Sequence, residues 1–214
     1  LLVHGYMHNA SAWTYLMPKL HYAGFRSIYT INLWPLMGCS IDDYAAMTEE
    51  KIRRIAEETS QCEVIVIGHS MGGLVGTRAA LNLAAEKSPV RVSHVASLGT
   101  PFKGSRAAYL GYLFGQNARD LLPRSKFTEK LQEDLAGIHS EEIQFLEIGS
   151  HRDLLVSIDS ACLTRQNAEN NSFERTREEF KDLGHLSLLY SPSVAEKVTN
   201  WLDPQFQRID ASSP

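Results

Sequence analysis

One serine in this chain stands in a setting suited to nucleophilic attack. The apolar run Val64-Ile65-Val66-Ile67 leads directly into Gly68-His69-Ser70-Met71-Gly72-Gly73, and a helix-prone stretch follows from Leu74 to Ala85. Strand, Gly-x-Ser-x-Gly, helix is the order that stands a serine hydroxyl proud on a sharp turn, with glycines two before and two after to give the strained backbone steric room. The amino end of the following helix also favours negative charge developing beside the serine. At ordinary glycine and serine frequencies of ~7%, the five-residue pattern arises by chance in about one chain in fifteen of this length. Its place at the end of an apolar run makes it specific.

Such a serine needs a base, an acid to orient the base, and N–H donors for an oxyanion. Asp182-Leu183-Gly184-His185-Leu186-Ser187 puts a histidine between a weak last strand and a terminal helix. The run Ile143 to Ile148 ends in Gly149-Ser150-His151-Arg152-Asp153, which leaves Asp153 at the carboxyl end of a strand, where α/β sheets place ligand-facing groups. The chain order is then Ser70, Asp153, His185. Asp159 and Asp182 compete for the acid and His151 for the base. His151 lies two residues from Asp153 on one loop, too close to sit between that acid and the serine, and is read as a surface group. The turn Val3-His4-Gly5-Tyr6 can present the backbone N–H of Tyr6 beside that of Met71 at one oxygen. His4 and His69 flank this centre and are read as hydrogen-bonding supports rather than proton carriers. There is no His-Glu-x-x-His and no Cys/His pair at ligand spacing, and the chemistry needs neither metal nor cofactor, so none is expected.

The elements that must hold these residues are legible as alternation. Short β-branched runs at Leu1 to Val3, Ile28 to Leu33, Glu63 to Ile67, Val92 to Leu98 and Ile143 to Ile148, with a weaker one at Phe173 to Phe180, alternate with helix-patterned segments. That predicts an α/β fold of about six mostly parallel strands with helices on both faces. Ile41, Tyr44, Ala45, Thr48, Ile52, Ile55 and Ala56 recur at helical spacing behind a capping box of Ser40 and Asp43. Val194, Val198, Trp201 and Leu202 form a second stripe, opened by Ser193 with Glu196 and closed before Pro204. Phe102 to Leu135 carries aromatic and leucine residues but no strand, which predicts helices over the sheet edge, a cap segment of residues 102–135. Thr164 to Glu179 is polar and reads as a solvated loop.

Composition sets the outer bounds. A chain of 214 residues with 43% hydrophobic and 21% charged residues fits one globular domain, 1–214. With 21 Lys and Arg against 25 Asp and Glu, the net charge of −4 offers no footprint for a nucleic-acid backbone. Cys39, Cys62 and Cys162 are too far apart for a zinc ribbon and leave at most one disulfide open. No run approaches 18 apolar residues, so no segment of the sequence reads as a membrane span. A start at Leu1, already strand-like, predicts a fragment whose signal or anchor would lie upstream.

Taken together, Leu1 to Tyr6, Gly68 to Gly73, Gly99-Thr100-Pro101-Phe102-Lys103-Gly104-Ser105, and Gly184-His185 followed by Ser191-Pro192 resemble the α/β-hydrolase family over nearly the whole chain. Within it the sequence is similar to the bacterial lipase and esterase branch, including triacylglycerol lipases and deacylases of lipid-anchored inositol. The resemblance implies Ser70 as nucleophile, Asp153 as acid, His185 as base and Tyr6 and Met71 as oxyanion donors. It also implies two strands ahead of Leu1 that this chain lacks. Many relatives carry His after the Thr-Pro, where Phe102 stands here, a change expected to alter the pocket wall. The implied substrate is an acyl ester, and a lipid one fits the branch. An anchor in the missing N-terminal part would associate the protein with a membrane, and a bacterial cytoplasmic or membrane-bound location is favoured over secretion. Oligomeric state is not legible. An acyltransferase using the same three residues, a non-catalytic lipid-binding module and, last, a serine peptidase are the competing functions.

Overall fold

Strands too short to stand alone pair into one sheet. In the computed structural model, which describes residues 1–111, 113, 115–137, 143–163 and 175–210 (203–210 by backbone only), six strands form one sheet. They are β1 (Leu2–Val3), β2 (Thr30–Ile31), β3 (Glu63–His69), β4 (Arg91–Leu98), β5 (Gln144–Ser150) and β6 (Arg175–Phe180). Their order is β2-β1-β3-β4-β5-β6, and every neighbouring pair is parallel. In register, Val3 lies beside Gly68, His69 beside Leu98, Leu98 beside Ile148 and Ser150 beside Phe180, so the carboxyl ends finish along one edge. The chain leaves β1 toward β2 and leaves β3 toward β4, in opposite directions. That reversal opens a crevice at the carboxyl ends of β1 and β3, the place where such sheets bind ligands.

The helices are α1 (Leu16–Tyr22), α2 (Ile41–Thr59), α3 (Met71–Ala85), α4 (Gln116–Asp120), α5 (Lys126–Ala136), α6 (Ile158–Ala161) and α7 (Pro192–Asp210). The capping box forms at the start of α2: Ser40 Oγ accepts from the Asp43 N–H at 3.1 Å while the Asp43 carboxylate accepts from the Ser40 N–H at 2.8 Å. The stripe read from the sequence is the buried face of this helix. Because neighbouring strand residues point to opposite faces, the sheet separates two apolar layers. Val3, Val66 and Phe145 pack with Tyr44 and Ile52 of α2, Leu74 of α3 and Leu131 of α5. Leu2, Ile67, Leu146 and Ile148 pack on the other face with Trp13, Leu16 of α1 and Val194 and Val198 of α7.

Several boundaries differ from the sequence reading. Helix α7 starts at Pro192 rather than Ser193, with Ser191 Oγ 3.4 Å from the Val194 N–H, because proline suits the first helical position, where its missing N–H has no partner to lose. It also runs past Pro204 to Asp210; a proline inside a helix removes one backbone bond but does not oblige the flanking turns to stop. Residues 175–179 fall both in the weaker strand read at 173–180 and in the polar stretch 164–179; they belong to edge strand β6, because an edge strand pairs through its backbone on one side and leaves its side chains free to be polar. The rest of that loop, 164–174, lies outside the described residues. In the segment 102–135, Phe102, Leu121, Phe127 and Leu131 are buried, whereas Tyr109, Leu110 and Leu113 are exposed. The three cysteines are free thiols, which closes the disulfide option.

Candidate active site

Ser70 sits at the tight junction between β3 and α3 with φ 54° and ψ −126°, a left-handed backbone that L-residues avoid at a cost of order 1–3 kcal/mol. Its N–H donates to the Leu98 carbonyl at 2.9 Å, which ties the turn to the end of β4. The glycines at either side serve close approach. A Cβ on Gly72 would collide with the Val3 carbonyl oxygen, and one on Gly68 would stand 2.5 Å from Gly73 Cα. Only hydrogen at these positions lets the first turn of α3 press against the ends of β1 and β3.

That approach brings the turn after β1 onto the serine. A Cβ on Gly5 would lie 3.0 Å from Ser70 Cβ. Neither the Tyr6 nor the Met71 amide N–H has an acceptor among the described residues, and Met71 is the first residue of a 15-residue helix whose dipole favours an anion at that end. Met71 follows Ser70 directly, and Tyr6 follows the glycine whose backbone approaches Ser70.

His185 and Asp153, 32 residues apart, meet through a 2.6 Å contact between Nδ1 and Oδ2, and both are buried. Since a carboxylate only accepts, the imidazole carries its proton on Nδ1 and leaves Nε2 as a base. The other carboxylate oxygen, Oδ1, accepts from the N–H groups of Leu155 and Val156, each at 2.9 Å, so the acid is held at both oxygens. Asp159 and Asp182 are exposed, and His151 instead pairs with Glu179 at 2.8 Å on the surface. The acid and base read from the sequence are thus brought together, and their competitors are not. Ser70 Oγ and His185 Nε2 do not form a hydrogen bond among the described residues; in ligand-free sites this contact is often long and tightens with substrate.

What joins the two halves is a pair of residues next to them. His69 Nε2–H donates to the His185 carbonyl at 3.1 Å, and the two rings lie 4.7 Å apart at 47°. Burial, with His185 nearby, lowers the His69 pKa to about 3, so this ring stays neutral. His4 accepts the Leu33 N–H at Nε2 (3.0 Å) and donates from Nδ1 to the Gly5 carbonyl (2.9 Å), bracing the turn that carries Tyr6. Burial lowers its pKa too. Both histidines act on backbone, as their reading as supports anticipated. Gly99 was not singled out by that reasoning. It follows Leu98, has φ 59°, and a Cβ there would stand 3.2 Å from His185 Nδ1 and 3.3 Å from Asp153 Oδ2. A glycine closing a buried strand was the available signal.

Among the described residues no group of three or more His, Cys, Asp or Glu side chains is placed to hold a metal ion, and no helix is long and apolar enough to cross a membrane.

The sequence profile of the alpha/beta hydrolase family matches residues 1–191. No curated protein matches the chain. Among solved structures, a lipase of Bacillus licheniformis in its mature form superposes with a TM-score of 0.71 at 18% identity, over 97% of this chain and 89% of that one. A monoacylglycerol lipase of Paleococcus ferrophilus gives 0.63 at 18% identity, over 95% and 93%. Lipase B of Aspergillus fumigatus gives 0.69 at 16% identity, over 92% of this chain and 50% of that one. At such identities the likeness is one of fold.

Proposed function

This chain belongs to the alpha/beta hydrolase family, and we propose that within it the chain is a serine carboxylic-ester hydrolase acting through an acyl-enzyme, with Ser70 as nucleophile, His185 as base and Asp153 as acid. The observation that carries this is the buried 2.6 Å His185–Asp153 pair at the same sheet edge as a serine in strained left-handed backbone. Ser70 Oγ attacks the ester carbonyl while His185 Nε2 takes its proton. The carbonyl oxygen becomes an oxyanion between the Tyr6 and Met71 N–H groups. Asp153 keeps the imidazole in the productive tautomer and offsets its positive charge. The imidazolium then gives its proton to the departing alcohol, and a water, deprotonated by the same nitrogen, releases the acid and frees Ser70. The lipases among the structural neighbours support an acyl ester of lipid type. The helical segment 102–135 contributes exposed Tyr109, Leu110 and Leu113 beside this edge, which supports its role as a cap over the acyl chain.

The test is hydrolysis of p-nitrophenyl esters from acetate to palmitate by the protein and by Ser70→Ala. Turnover that falls by about 10⁴-fold or more in the variant is expected, because the three residues work as a unit. Undiminished turnover by the variant removes Ser70 from the mechanism. Product analysis with an added alcohol separates hydrolysis from acyl transfer.

A further inference from the structure

One imidazole beside the candidate active site serves nothing within the protein. Of the described histidines, His4, His8, His69, His151 and His185 stand at or just past the carboxyl ends of β1, β3, β5 and β6. His4 holds the Leu33 N–H and the Gly5 carbonyl, His69 the His185 carbonyl, His151 the Glu179 carboxylate and His185 that of Asp153. His8 holds none. Neither of its ring nitrogens has a hydrogen-bond partner among the described residues, although the ring is half-buried and its Nδ1 is closed to solvent. A buried polar atom left unpaired is costly and rare, so an imidazole kept in this state calls for a partner from outside the chain.

The loop that carries His8 is braced along its length. Gly5 to His8 form a turn closed by the His8 N–H on the Gly5 carbonyl at 3.2 Å, with Met7 in left-handed backbone at φ 56°. Strain of this kind persists only where the surroundings hold it, and it gathers at ligand sites. Beyond the turn, Asn9 Oδ1 accepts the Ser11 N–H at 2.9 Å and Asn32 Oδ1 accepts the Ala10 N–H at 2.8 Å. The turn begins against the nucleophile: a Cβ on Gly5 would stand 3.0 Å from Ser70 Cβ and 3.2 Å from His69 Nδ1. It ends with the His8 ring 6.4 Å from the His69 ring, which itself lies 4.7 Å from that of His185.

The two faces of the sheet give the crevice two different walls. His69 follows Ile67 by two residues and so lies on the face whose apolar layer holds Trp13, Leu188 and Leu189, the layer beneath the loops of His8 and His185. Tyr6, Phe102, Ala108 and Leu121 belong to the opposite layer, with the segment 102–135. In the acylation step His185 returns its proton to the ester oxygen that departs with the alcohol. The alcohol portion therefore lies along the His185 wall, where His8 stands, and the acyl chain toward the other.

We propose that His8 reads the alcohol portion of the ester: its imidazole hydrogen-bonds a free hydroxyl there, so that partial esters of a polyol are preferred to esters of a simple alkanol. The proposal rests on the ester-hydrolase reading and names the substrate class of that site. An alkanol covers the His8 ring and leaves its nitrogens unpaired, which is the source of the discrimination.

Glycerol monobutyrate and n-propyl butyrate, soluble esters that share one acyl chain, test it through kcat/KM for wild type, His8→Phe and His8→Gln. Wild type is expected to prefer the glycerol ester by about tenfold, the worth of one hydrogen bond in a partly open site. His8→Phe keeps a ring that can neither donate nor accept and should abolish the preference, while His8→Gln should retain part of it. A displaced loop lowers both values together and leaves their ratio unmoved, so the ratio separates recognition from a structural role. Wild type that treats the two esters alike, or His8→Phe that keeps the wild-type ratio, overturns the proposal. Turnover of both butyrates that Ser70→Ala abolishes, without discrimination between them, sinks the proposal and leaves the catalytic reading standing; turnover that survives in Ser70→Ala with its preference still lost in His8→Phe does the reverse.

Discussion

The His69 ring, one residue before Ser70, hydrogen-bonds the backbone carbonyl of His185 at 3.1 Å while lying 4.7 Å from the His185 ring. The side chain next to the candidate nucleophile thereby fixes the loop that carries the candidate base. Replacing it with Phe keeps the ring and deletes the donor. His69→Phe is expected to lower kcat on p-nitrophenyl esters by about tenfold with KM little changed, since a base displaced by a fraction of an ångström loses alignment in the transition state and not substrate affinity. His69→Gln, which can still donate, should recover part of the loss. A wild-type kcat in His69→Phe would show the contact to be idle.

Acid should destabilise the fold well above the carboxylate range. Burial lowers the pKa of His69 to about 3 and that of His94 to about 4, and both would titrate near 6.5 in the unfolded chain. The unfolded state therefore binds more protons below pH 6.5, so stability falls as pH falls, from about 6.5 down to the folded values. Each group contributes about 1.4 kcal/mol per pH unit across its window. His94 is the cleaner probe, packed edge-on to Trp201 with its Nε2 unpartnered. Urea midpoints measured from pH 7 to 5 should drop, and the drop should be shallower in His94→Gln.

Asp153→Asn should separate geometry from tautomer. The amide keeps its shape and its contacts with the Leu155 and Val156 N–H groups through the carbonyl oxygen, but its NH₂ faces His185 Nδ1 and turns the imidazole proton onto Nε2. A fall in kcat on the order of 10⁴ is expected, with little change in thermal stability. If activity survives while circular dichroism is unchanged, Asp153 is not the orienting acid.

The strain at Ser70 predicts a trade between stability and activity. Glycine accepts φ 54° freely and alanine does not. Ser70→Gly should be more stable than Ser70→Ala by about 1 kcal/mol, with both inactive. Paired denaturation curves read the difference, and equal midpoints would mean the turn is relaxed.

Gly72 allows a companion experiment. Its missing Cβ leaves room for the Val3 carbonyl, so Gly72→Ala must push α3 away from β1 at a cost of about 1–3 kcal/mol. The same displacement separates Tyr6 from Met71, and the surviving folded protein should show a reduced kcat.

Much of this was written locally. The alternation that marks β1 to β5 depends only on neighbouring residues, as does the capping box of Ser40 and Asp43, and a glycine-flanked serine after an apolar run is a local pattern too. Edge strand β6 was half hidden, because Arg175 to Phe180 has no apolar face to announce it and owes its strand to backbone bonds with β5. The choice among Asp153, Asp159 and Asp182, and between His185 and His151, could be ordered by chain position but not closed. Those residues lie tens of positions apart, and no propensity links them. The parallel register of β3, β4, β5 and β6 decides which loops share an edge, and at Gly99, where a Cβ would stand 2.9 Å from Leu188 Cδ1, the absence of a side chain lets the Asp153 and His185 loops close on the end of β4. Local chemistry names the groups, and only closure of the long loops between them, made favourable by the two buried apolar layers, brings Asp153 and His185 to 2.6 Å.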